Sequence, residues 1–305
     1  MDINEELGFS PDDIVIVVHA DDMGMCSATN NGCLSLFQKK AITSSSVMVP
    51  CPGFDEVVEM NKENEGLDLG VHLTFIAEGD DDAFWRPVSD DVPSLINNQG
   101  TLHTTPADFF KHATIDDVEK ECRAQIEKAI NAGLDITHID SHMGTLFNGS
   151  LIVLYAKLAI EYGVVCMLPI VKLYDTFLQR FYIQAVKLLH ENRWPGLFHV
   201  NPDMHPDLAD DPSASFERRM QMLHPGLNYW IIHPADPAYY THETVLEDTQ
   251  ERASTYHFYR NQWVTAREQR NIFDSMVDGV VTMRDILDAC ALKDSEKVRR
   301  IIYSF

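Results

Sequence analysis

Apolar positions along the chain fall into two alternating kinds of segment. Short runs rich in β-branched residues at 14–20, 44–50, 67–75, 136–142, 164–170, 197–201, 229–234 and 279–282 read as strands. Between them lie stretches of helical period, clearest at 115–132. There Thr114 suits an N-cap, Asp116, Asp117 and Glu119 suit the positive end of the helix dipole, and Gly133 supplies the stop. This alternation predicts parallel β/α units, and seven or eight of them predict an α/β chain folded as a (β/α) barrel rather than an open sheet. Segments 245–271 and 283–302 read as helices without a ligand cluster. With no internal repeat, low-complexity tract or linker, the expectation is a single domain over residues 1–305.

One connection is unusually long. Residues 76–110 are rich in Asp, Pro, Asn and Thr and carry Phe84, Trp85, Phe109 and Phe110. Insertions of that length serve as lids or binding loops, or are plain surface excursions. The acidic run from Glu78 to Asp82 lies at its start.

Chemistry collects at the ends of the predicted strands. The run Ile14 to Val18 leads through His19 and Ala20 to Asp21 and Asp22, at the C-terminal strand end where α/β proteins build their sites. Where the strand gives way to a loop, both carboxylates can reach one pocket, one holding a metal and the other handling a proton. The plainer alternative is a turn or helix cap completed by Gly24. Two further strand ends repeat the design, with His72 in one and His138, Asp140 and His142 in the other. If extended, the second segment points His138, Asp140 and His142 to one face, with His138 toward the interior. A lone strand histidine is most often packed and hydrogen-bonded, but three such ends in order offer a facial set of one carboxylate and two imidazoles for a divalent cation. His233-Pro234 ends a fourth apolar strand, either as a site residue or as a strand terminator, because proline cannot donate a ladder hydrogen bond. Asp236 is close enough in sequence to orient His233, whereas His224-Pro225-Gly226 reads as a loop.

His19-Ala20-Asp21-Asp22-Met23-Gly24, Gly70-Val71-His72-Leu73-Thr74, Asp140-Ser141-His142 and Ile232-His233-Pro234 resemble the four signature segments of the YdjC-type carbohydrate deacetylases, in order over roughly residues 14 to 290. The resemblance implies a distorted, TIM-like (β/α) barrel and removal of acetyl groups from N-acetylated sugars such as chitooligosaccharides, with one divalent metal ion, Mg or Zn. It implies Asp22, His72 and His142 as metal ligands, Asp21 as catalytic base and His233 as acid, with His19 the next candidate acid. Three positions depart from the pattern. The family usually has Asn at His19, an aromatic residue at Met23 and a further His at Gly144. His19 and Gly144 are expected beside the pocket, which leaves the substrate preference open.

Composition narrows the partners. The 47 acidic against 24 basic side chains leave a formal charge of −23, which disfavours nucleic acid phosphates and anionic lipid and suits a neutral sugar or simple solubility. A homodimer stays open. The six cysteines form no C-x-x-C pair, against a structural zinc site. An acidic N-terminal stretch and the lack of an apolar run of about 18 residues give a cytoplasmic expectation.

The resulting expectation is hydrolysis of an N-acetyl group to acetate and a free amino sugar. Two rivals remain. A metal-dependent phosphoesterase or another amidohydrolase would use similar ligands, but few Arg or Lys residues lie near the four motifs. A non-catalytic sugar-binding protein would have no need of both Asp21 and His233.

Overall fold

The computed structural model describes residues 3–78, 85–168, 176–192, 194, 199–200, 220–240, 249–263 and 277–291. Eight strands form one sheet in which every pairing is parallel: β1 (Ile14–Met23), β2 (Ser44–Val47), β3 (Leu69–Leu73), β4 (Ile136–Ser141), β5 (Val165–Cys166), β6 (His199–Val200), β7 (Gly226–Ile232) and β8 (Gly279–Val280). Their order is β5-β4-β3-β2-β1-β7-β6, with β8 added to β1. β8 takes the beginning of the edge that β2 occupies further along, since the carbonyls of Ile14 and Ile16 accept from Asp278 and Val281 and that of Val18 from Thr43.

The sequence predicts a barrel without fixing its closure; the described sheet is a curled, barrel-like half. β5 and β6, at its two ends, have two residues each and no pairing with one another among the described residues. The curl shows in the core. Val15 and Val17 of β1 share an inner cluster with Val165 and Met167 from one end of the sheet and Leu227, Tyr229 and Ile231 from the other. The alternate residues Ile16, Val18 and Ala20 face outward, with Val71 and Ile139, against helix residues such as Val118, Ile126 and Tyr155.

The segment read as helix at 115–132 is Ile115–Asn131, and its Thr114 side chain accepts from Asp117 N as an N-cap. The helices read in the last third are observed as Thr249–His257 and Met283–Ala291, and residues 292–302 lie outside the described residues. Five cysteines are free and buried, packing as small apolar groups. Among the described residues no helix is long and apolar enough to cross a membrane.

Candidate active site

The site forms at the C-terminal ends of β1, β3, β4 and β7. In β1, strict alternation would send Asp21 inward and Asp22 outward. The chain avoids this at Asp22, whose φ of 69° is left-handed, and the pairing with β2 shifts register between Ala20 and Met23. Asp tolerates that conformation better than most residues, and the local kink lets both carboxylates approach His72. β4 ends in a similar way. Met143 and Gly144 have φ of 52° and 62°, which leaves His142 buried and Met143 exposed at the rim.

Asp22, His72 and His142 converge. Asp22 Oδ1 lies 3.3 Å from His72 Nε2 and 3.5 Å from His142 Nδ1, and the two nitrogens are 3.3 Å apart. A cation with bonds of about 2.1 Å to tetrahedrally placed donors needs donor–donor edges of about 3.4 Å. Among the described residues Asp22 Oδ1 is buried without a hydrogen-bond partner, as an oxygen reserved for a ligand would be. Behind the triangle each imidazole meets a carboxylate through its other nitrogen: His72 Nδ1 is 2.7 Å from Asp140 Oδ1, and His142 Nε2 is 3.1 Å from Glu78 Oε1. Carboxylate–imidazole pairs of this kind orient metal-binding histidines. These residues therefore fit a divalent cation.

Charge follows the same contacts. Burial alone would raise the Asp22 carboxyl, but the Arg252 guanidinium and the two imidazoles hold it well below the usual range. Burial opposes protonation of His72 and His142, yet Asp140 and Asp21 around the first, and Asp22 and Glu78 around the second, raise both. Two other groupings of metal-binding residue types lie deeper, His19–His138–Asp140 and Asp21–His72–Asp140, and share Asp140. His138 is fully buried, as the sequence predicts for its face, and burial pushes it down to about 3, so it is neutral there. Its ring occupies the space that a side chain at Gly70 would need.

Asp21 and His233 flank the pocket. His233 Nε2 is 3.6 Å from Asp21 Oδ2, and burial lowers the His233 pKa below the ordinary histidine value. Both line a cavity of about 190 Å³ walled by Met143, Gly144, Phe147, Met167 and Ile231, with Ser141 and Pro106. The long connection contributes Pro106 to this wall, and its Glu78 and Trp85 stand against His142, the Trp85 ring 6.3 Å from the imidazole. Residues 79–84 lie outside the described residues.

Three expectations need correction, and one contact has no marker in the sequence. Gly144 lines the pocket, but His19 does not: it is fully buried beneath Asp21 and cannot meet a substrate as an acid. Asp236 does not orient His233; its carboxylate caps Ala238 N and accepts from the Tyr256 hydroxyl. The helix Thr249–His257, in a segment read as carrying no ligand cluster, carries none but delivers Arg252, whose Nη1 is 2.7 Å from Asp22 Oδ2. That also removes the argument that cations are scarce at the site. Arg252 is nevertheless buried against Asp22 and Glu78, so its charge is directed at protein carboxylates. Ser44 and Ser46 of β2 were without any marker in sequence, as polar residues in a strand are common.

A family model described as YdjC-like protein matches residues 15–269. The carbohydrate deacetylase of Brevibacillus brevis is 34% identical over 154 residues, 50% of this chain and 59% of that one, so the match spans less than two thirds of that relative. The carbohydrate deacetylase of Clostridium beijerinckii is 28% identical over 227 residues, 73% of this chain and 86% of that one. Among solved structures, a candidate cellobiose-phosphate cleavage protein of Enterococcus faecalis shares the fold with a TM-score of 0.70 at 17% identity, covering 90% of this chain and 99% of that one.

Proposed function

The chain belongs to the YdjC-like protein family, and from that premise we propose that it is a metal-dependent carbohydrate deacetylase, releasing acetate and a free amino sugar from an N-acetylated sugar. The observation that carries this reading is the buried donor triangle of Asp22, His72 and His142 set directly beside Asp21, which with His233 lines the pocket.

An amide resists hydrolysis because its carbonyl is a poor electrophile and its nitrogen a poor leaving group. A divalent ion held by Asp22, His72 and His142 supplies Lewis acidity toward the carbonyl and toward water. The remaining work is proton handling, and two side chains suit it. Asp21 Oδ2 faces the cavity and is placed to take a proton from the attacking water as the C–O bond forms. His233 is placed to give a proton to the nitrogen as the C–N bond breaks. With its pKa lowered, His233 is neutral near pH 7 and must first gain that proton. Asp21, at 3.6 Å, is its nearest source, so the proton taken from water can pass to the departing amine and the cycle balances. The apolar wall of Met143, Phe147, Met167 and Ile231 suits the acetyl methyl and the C–H face of a sugar ring.

Acetate release from a panel of N-acetylated mono- and oligosaccharides tests this, using protein stripped with chelator and then reloaded with Mg or Zn. Metal-dependent acetate release is expected. Phosphate release from sugar phosphates without any acetate would move the protein to the phosphoesterase reading.

A further inference from the structure

His19 is fully buried and fixed on every side. Its Nδ1 is 2.9 Å from Ser44 Oγ, its ring stacks on Tyr229 at 5.0 Å, and His138 meets it edge-on at 5.0 Å. Its Nε2 is 3.1 Å from Ser46 Oγ, 3.0 Å from Asp21 Oδ1 and 3.1 Å from Asp140 Oδ2. Neither of those carboxylate oxygens takes a hydrogen bond from another group among the described residues. Two carboxylates converging on one nitrogen would repel each other if it were removed.

We propose that His19 is a positioning residue for the catalytic base, pinning Asp21 through Oδ1 so that Oδ2 is held toward the pocket and His233. The inference rests on the assignment of Asp21 as base. Electrostatics agree: burial alone would depress the imidazole, but Asp140 and Asp21 outweigh it and push His19 up to about 9. It therefore carries a positive charge at neutral pH, between two negative ones. Asp140 also holds His72 through its other oxygen, so base and cation site share one buried anchor.

The test compares kcat, KM and metal content of the purified wild-type protein with those of His19→Leu and His19→Gln. Leu removes the polar contact, whereas the Gln amide nitrogen reaches about where Nε2 lies. Misplacement of a catalytic group by about 1 Å can cost on the order of 100-fold. His19→Leu should accordingly lose at least about tenfold in kcat, with KM and metal stoichiometry kept, and His19→Gln should recover most of it. Retained kcat in the Leu variant, loss of metal together with kcat, or a folded, metal-loaded Gln variant as impaired as Leu would each overturn the proposal. If His19→Leu does not fold, Ser44→Ala decides: it frees the ring at Nδ1 and must lower kcat without raising KM, and an unchanged kcat overturns the proposal. A readout independent of turnover is the nitrogen-15 NMR signal of the His19 ring, which should shift in Asp21→Asn and stay in place in Glu78→Gln. Should the wild type release no acetate from any sugar, the functional reading fails by itself and this signal alone judges the contact; no shift in Asp21→Asn would overturn it.

Discussion

Arg252 and Asp22, 230 positions apart in sequence, form a buried ion pair at 2.7 Å through Asp22 Oδ2, while Oδ1 of the same carboxylate faces His72 and His142. The two oxygens are thus divided between a fixed cation of the protein and the place suited to a metal ion. Breaking one side of a buried pair leaves an uncompensated charge and costs about 3–5 kcal/mol. Arg252→Met should destabilise the metal-free protein by that order, and metal should restore part of the loss because it supplies the missing positive charge. Thermal melts of both proteins with and without metal check this. An equal loss in the two states would mean that no ion sits against Asp22.

The ligand assignment predicts that Asp22→Ala, His72→Ala and His142→Ala each lower metal content in the purified protein. Glu78 stands behind His142 at 3.1 Å, and outer partners of metal-binding residues typically contribute 10- to 100-fold in affinity. Glu78→Gln should weaken metal binding within about that range while leaving the fold intact, as measured by competition with a chromogenic chelator. Stoichiometric metal in all three Ala variants would remove the assignment.

The neighbouring carboxylates separate by nearly isosteric substitution. Asn tolerates the left-handed backbone of Asp22, so Asp22→Asn changes the ligand charge without straining the chain. Asp22→Asn should lose metal and turnover together; Asp21→Asn should keep metal and lose turnover. Equal metal loss in both variants would show that the roles are shared or reversed.

Much of this site was legible because the relevant information is local. A β-branched run ending in Asp or His marks a strand end whatever the rest of the chain does, and Asp21, Asp22, His72, His142 and His233 all sit at such ends. What sequence could not show depends on long-range geometry. Arg252 lies on a polar helix with no motif, and only the packing of that helix brings it to Asp22. Ser44 and Ser46 matter because the β1–β2 register sets them beside His19. The same limit applies to the edges of the sheet: of the runs read as strands at 164–170 and 197–201, two residues each are paired among the described residues, and 169–170, 197–198 and 201 lie outside them.

His19 also predicts a pH dependence of stability in the metal-free protein. Its folded pKa, about 9, lies above the unfolded value near 6.5, so the stabilisation is fully present below about pH 6.5 and is lost as pH rises toward 9. The groups facing the ring are Asp21, Asp140, Tyr229, His138, Ser44 and Ser46. Denaturant unfolding at intervals across that window should show wild-type stability falling more steeply than that of His19→Gln, which has no proton to lose. Parallel profiles would mean that His19 is neutral in the folded protein.

The last prediction concerns His233, whose proposed task is to protonate the leaving amine rather than to assist attack. The need for an acid rises with the basicity of the leaving group: an amine cannot depart as an anion, whereas a nitrophenolate departs unaided. His233→Ala should therefore reduce hydrolysis of an N-acetyl sugar by on the order of 100-fold or more, the usual range for a positioned acid, while an activated acetate ester is hydrolysed almost as before. Metal content should not change, because His233 pairs with Asp21, while Asp22, His72 and His142 keep the contacts to Arg252, Asp140 and Glu78 that hold them. If both substrates suffered alike with metal retained, His233 would be holding substrate or Asp21 in place. His19 could not then inherit the acid role, since it lies fully buried behind the carboxylate, and the proton would have to reach the amine from Asp21 itself.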